Sequence, residues 1–171
     1  MATPTPPPGP TPTIITTGPR VLERNSCFGP PQLGYKSDRI FMTWKTDGVT
    51  GGGWKLHITA RPEQAEIVAR IALPILRRQG VPHKVVADLE TYRRFNRTSQ
   101  AGKFITIYTR STADARQTID AVEAELEMYA EYGGLQPGPL PTSRDAGHKE
   151  TEIPLSGSGF LSVLFRDDYS K

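Results

Sequence analysis

A chain of 171 residues with one cysteine has room for one domain with a real core, and it excludes an internal disulfide and a cysteine-based zinc site. No stretch is apolar for long enough to span a bilayer as a helix. Twenty-one basic residues against eighteen acidic ones leave a net charge of +3, which suits an anionic ligand site better than a surface that coats nucleic acid.

Residues 1–20 hold seven prolines and several threonines, a composition of extended, solvated chain. They are predicted to be a disordered arm ahead of a domain over 21–171. The opening "MATPTPPPGP" lacks the basic start and apolar run of a secretory signal, so a cytoplasmic protein is expected, exported only if a dedicated secretion machine carries it. Cys27 sits in a Pro/Gly-rich lead-in without a local partner and reads as structural rather than nucleophilic. "RIFMTWKT" (39–46) is a strand candidate before the turn "DGVTGGG". In the next strand, "WKLHIT", alternation puts Trp54, Leu56 and Ile58 on one face and Lys55, His57 and Thr59 on the other. The glycines before it let the chain enter a crowded site.

"RPEQAEIVARIALPILRRQG" reads as a helix, with Pro62 near its first turn, Glu63 and Glu66 at its positive end, Arg77 and Arg78 at its negative end, and Gly80 closing it. Ala65, Val68, Ala69, Ala72, Leu73 and Leu76 form its core stripe, and Pro74 is expected to kink the last turn. "PHKVVADL" is a short strand. "LETYRRFNR" is a helical turn or two that carries Arg93, Arg94 and Arg97 outward. In the strand "GKFITIYTR", Phe104 and Thr106 face one side and Ile105 and Ile107 the other. A second long helix starts at Ser111, spaced from Asp114 as in a capping box, and covers the sheet with Ile119, Val122, Leu126 and Tyr129. After the loop "GGLQPGPLP" (133–141) and the polar "SRDAGHKE", "GFLSVLFRDD" supplies a last strand ending in Arg166. The order β-α-β-α-β-α-β points to one sheet with helices against it; the pattern alone leaves strand direction open.

Lys55, Lys84, Arg97, Lys103, Arg144 and Arg166 each lie on a strand or at its edge. In one sheet several of them converge, and guanidinium forks with lysine point charges bind phosphate well. His57, beside lysines on a polar face, suits delivery of a proton to a leaving group near neutral pH. His83 and His148 lack that setting and read as surface residues. No HExxH, no Cys/His pair at zinc spacing, no calcium-type acidic loop and no Gly-x-Ser-x-Gly elbow occurs, so neither a metal site nor a serine hydrolase is expected. "LHIT" also fits the His-x-Thr signature of two-histidine phosphoesterases, but neither "HKV" at 83 nor "HKE" at 148 supplies the second motif that chemistry needs.

"GGWKLHITARPEQAEIVARIALPILRRQGVPHKV" followed by "SQAGKFITIYTR" resembles the lyase domain of class III and class IV lanthipeptide synthetases, which is similar in turn to the phosphothreonine lyase effectors. The resemblance covers about residues 52–130 and implies an α+β fold, a single domain with one mainly antiparallel sheet packed with helices. It also implies β-elimination: a phosphorylated serine or threonine loses phosphate together with its α-proton and leaves a dehydroamino acid, without metal or other cofactor. Such a reaction requires a base, stabilisation of enolate-like charge and assistance to a dianionic leaving group. By the resemblance Lys84 is the general base and His57 the general acid. Lys55, Arg97 and Lys103 contact phosphate or substrate, and Arg144 and Arg166 complete the phosphate clamp. As a base Lys84 must be deprotonated, which crowding by cations and partial burial favour by lowering its pKa from roughly 10.4.

The expected partners are a phosphorylated precursor peptide and a separate Ser/Thr kinase, because no kinase or cyclase domain is seen; no nucleic acid and no membrane are expected. A stand-alone lyase of the class V lanthipeptide type fits this shape. The alternatives are an effector lyase acting on a host kinase, a phosphopeptide-binding module without turnover, and the two-histidine phosphoesterase.

Overall fold

The computed structural model describes residues 27–141, 152–155 and 158–169. The arm predicted for 1–20, Arg144 and His148 lie outside them. In chain order the elements are β1 (Lys36–Asp38), β2 (Phe41–Trp44), β3 (Gly53–Ile58), α1 (Ala65–Gln79), β4 (His83–Val86), α2 (Leu89–Phe95), β5 (Ile105–Tyr108), α3 (Thr112–Gly133), β6 (Ile153–Pro154) and β7 (Leu161–Arg166).

The helices begin and end where side-chain chemistry says they should. A 3-10 turn over Pro62–Gln64 leads into α1, and Gly80, at φ 68°, closes it in the left-handed conformation, with its N–H on the Arg77 and Leu76 carbonyls. Pro74 lies inside α1, between buried Leu73 and Ile75. Ser111 caps α3 by accepting from the Asp114 N–H at 3.0 Å, and Asp88 caps α2 by accepting from Thr91 N–H at 2.8 Å. Within α3, Val122 and Leu126 are buried and Ile119 and Tyr129 pack against the core.

One seven-stranded sheet takes the order β1-β2-β4-β5-β3-β7-β6, and each neighbouring pair is antiparallel. The direction that patterning left open follows from the way two β-α-β units interlock. β3 and β4, joined through α1, run parallel but are separated by β5; β5 and β7, joined through α3, run parallel but are separated by β3. Two split β-α-β units thus fill each other's gaps. The hairpin β1–β2 extends one edge and the two-residue β6 the other.

Strand registers sort the side chains. Trp44, His83, Ile107, Leu56 and Val163 form one row, and Met42, Val85, Ile105, Ile58 and Leu161 the next. Both rows enter the apolar core, which also takes in Val68, Ala72 and Leu76 of α1 and Val122 and Leu126 of α3. The alternate rows lie on the opposite face of the sheet.

Candidate functional site

On that opposite face one row runs Lys36, Thr43, Lys84, Thr106, His57, Ser162, each residue directly across from the next. A second row holds Tyr108, Lys55 and Leu164, and Arg166, at the end of β7 opposite Gly53, shares this face by register. Lys84 and His57 flank Thr106, so their Cα atoms stand two strand spacings apart, roughly 10 Å. The alternation read from "WKLHIT" therefore holds: Leu56 and Ile58 are in the core, Lys55 and His57 on the polar face.

His57 is nearly enclosed, at 3% exposure. Its Nδ1–H donates to Glu152 Oε1 at 2.6 Å, and the same oxygen accepts the Ser162 hydroxyl at 2.8 Å. Nδ1 is thereby occupied and Nε2 remains for proton transfer. Burial pushes the imidazole below its ordinary pKa, Glu152 pulls it upward, and the charges of Lys55 and Lys103 add to the downward push. For Glu152, burial acts to raise the carboxyl, but the His57 and Ser162 hydrogen bonds and the His57 and Lys103 charges outweigh it and hold it below the usual range. Lys103, in the turn before β5, thus belongs electrostatically to this cluster.

Lys84 Nζ stands 4.0 Å from the centroid of the Phe41 ring, and Lys55 Nζ 5.7 Å from that of Tyr108. Beside Lys84 opens a cavity of about 200 Å³ lined by Asp38, Thr43, Thr46, Val49, Lys84, Tyr108 and Tyr169. Tyr169 straps the C-terminal segment down: its hydroxyl donates to Thr109 O at 2.8 Å, its N–H to Gly51 O at 2.7 Å, and its ring meets Tyr108 edge-on at 5.2 Å. The C-terminal segment explains Gly52 and Gly53 of the glycine run, whereas a Cβ on Gly51 would meet nothing within 4 Å. A Cβ on Gly52 would stand 2.1 Å from the Arg166 carbonyl and 2.3 Å from that of Asp167. At the other end of β3, the Thr59 hydroxyl donates to Pro139 O at 2.6 Å and fastens the 134–141 segment there.

Of the residues singled out in the sequence, Lys55, His57, Lys84 and Arg166 share one sheet face, and Lys103 acts on His57 through its charge. Arg97 is exposed in the turn after α2, rather than at a strand edge. His83 corrects the sequence reading: it is fully buried on the core face, where Nδ1–H donates to Val81 O at 2.8 Å, Nε2 meets the Tyr35 hydroxyl at 2.8 Å and the ring stacks on Trp44. It therefore cannot face His57 as a two-histidine phosphoesterase requires. Glu152 and Ser162 escaped the sequence reading. Glu152 lies 95 positions from His57 in a polar run with no periodicity to mark it.

The fold is similar to that of three solved phosphothreonine lyases. The lyase OspF from Shigella flexneri is 16% identical, with a TM-score of 0.52 over 90% of this chain and 89% of that one. SpvC from Salmonella is 17% identical, with a TM-score of 0.56 over 97% and 77%. The VirA (SpvC) effector of Chromobacterium violaceum is 19% identical, with a TM-score of 0.52 over 98% and 78%. No curated protein matches the chain in sequence. The model of the RamC N-terminal domain, in contrast, matches residues 30–133, more than half of the sequence, from the turn before β1 to the end of α3; the chain belongs to the RamC N-terminal domain family.

Proposed function

We propose that the protein is a metal-independent lyase that β-eliminates phosphate from phosphothreonine or phosphoserine in a peptide, giving dehydrobutyrine or dehydroalanine, with residues 21–171 as its catalytic unit. The observation that carries this reading is the row in which Lys84 and His57 flank Thr106 on one sheet face, with Lys55 and Arg166 on the same face. The fold shared with phosphothreonine lyases supports it.

In this mechanism the cations Lys55, Lys103 and Arg166, joined by Arg97 and Arg144, hold the phosphate. The α-carbon sits by the cavity beside Lys84. The neutral Lys84 amine takes the α-proton; the Cα–H electrons form the double bond as Cβ–O breaks, and His57 Nε2–H protonates the departing oxygen. Nearby cations favour the uncharged amine and stabilise the enolate-like charge. Glu152 holds the imidazole by Nδ1–H and supports its protonated form as phosphate arrives.

Membership of the RamC family favours a ribosomal natural-product precursor, phosphorylated by a separate kinase, over a folded host kinase as the substrate. The test is incubation with a phosphothreonine peptide followed by mass spectrometry. The expected product has lost phosphoric acid and resists dephosphorylation back to threonine. Lys84→Ala is expected to retain the peptide and lose turnover, and His57→Ala to lower kcat about 100- to 10,000-fold. Recovery of the free hydroxyl, or loss of activity with a chelator, would overturn the reading.

A further inference from the structure

Phe41 stands where it can govern Lys84. It lies on the Lys84 face of β2, opposite Asp38 on one side and Val86 on the other. The Lys84 amine rests on its ring at 4.0 Å, while Phe95, the last residue of α2, meets the ring edge-on at 5.6 Å from another direction. Phe95 is itself buried, so the ring is braced by the core end of α2. A π face attracts an ammonium and shields one side of it from water.

We propose, on the reading that Lys84 is the base, that Phe41 is its positioning residue: the braced ring fixes the amine at the mouth of the cavity and helps set the pH at which it can accept the α-proton. Charged and titratable groups of other elements also face Lys84, and a substitution at 41 leaves their identity unchanged. Asp38 of β1, Tyr108 of β5 and Tyr169 line the same cavity. His57 and Lys55 of β3 lie on the same face beyond β5, and Lys36, opposite Thr43, is paired with Asp47 at 2.8 Å. Arg93 and Arg94 of α2 are exposed, and Arg94 donates back to the Thr91 hydroxyl at 3.2 Å.

The decisive measurement is the NMR titration of the Lys84 side chain, assigned with Lys84→Arg, together with the pH profile of kcat on a phosphothreonine peptide. Phe41→Leu and Phe41→Met, both apolar and without a ring, are compared with Phe41→Tyr, which keeps the π face; thermal melts report folding. Removing the ring is expected to lower the Lys84 midpoint by roughly half a pH unit, the size of an exposed cation–π contact. The acid limb of kcat then moves to lower pH and the plateau falls several-fold, with KM within about twofold. Phe41→Tyr retains the wild-type midpoint. An unchanged or raised midpoint in a folded ring-free variant, or a tyrosine variant that behaves like leucine, overturns the proposal. A wild-type protein that eliminates no phosphate overturns the lyase reading instead, while the Lys84 titration still decides the role of Phe41.

Discussion

At His57, burial and two lysines work against the imidazolium while Glu152 works for it. Replacing the carboxylate by its amide in Glu152→Gln keeps the shape but removes the charge that favours protonation. With His57 as the proposed acid, the expected outcome is a fall in kcat of about tenfold or more with KM nearly unchanged, and an alkaline limb of the pH profile displaced to lower pH, because the imidazolium then gives up its proton earlier. A profile superimposable on the wild type would exclude a role for Glu152 in holding the acid. His57 was legible in the sequence because its neighbours Lys55 and Thr59 alternate with Leu56 and Ile58. Glu152 was not, since nothing local distinguishes it from Glu150 or Lys149. His83 was misread for the same reason: its burial depends on Tyr35, ahead of β1, and on Trp44, directly across from it on β2, both distant in sequence.

Among the elements, the junction of β3 and β7 decides where Arg166 stands. Gly52→Ala puts a methyl group into the Arg166 and Asp167 carbonyls, backbone atoms that cannot swing away as a side chain does. This variant is expected to separate the start of β3 from the end of β7, lower the melting temperature by several degrees and weaken phosphopeptide binding more than Gly48→Ala, whose Cβ meets nothing within 4 Å. Calorimetry and peptide titration of the two variants check this, with the φ of +80° at Gly48 as the control's own strain. The helices and long strands were readable because capping residues, Gly80 and the apolar stripes act within a few turns of chain. β1 and β6 were not readable: they have three and two residues, too few for a period to show, and exist as strands by virtue of the partners they pair with.

For the whole molecule, His83 ties stability to pH. Burial foremost, with Arg77 adding, holds it down from 6.5 to about 4, against the Val81 hydrogen bond. Between those values the unfolded chain binds a proton that the folded chain does not, so this contribution is fully present above about pH 6.5 and is lost as pH falls toward 4, to a limit of about 3 kcal/mol. Urea midpoints are expected to drop between pH 7.5 and 4.5, and to drop less in His83→Gln; an equal drop in both proteins would exclude His83 as the source. No helix among the described residues is long and apolar enough to cross a membrane. The sequence by itself determined where the helices and the longer strands lie, which face of β3 is polar, and which family the chain resembles, because side-chain period, caps and motif spacing are properties of neighbours along the chain. Only the tertiary structure decided that β5 enters between β3 and β4, setting Lys84 and His57 on either side of Thr106, and that Glu152 closes on His57. Those contacts join residues far apart in sequence, and strand pairing and core packing select them collectively, through an energy that no short stretch carries alone.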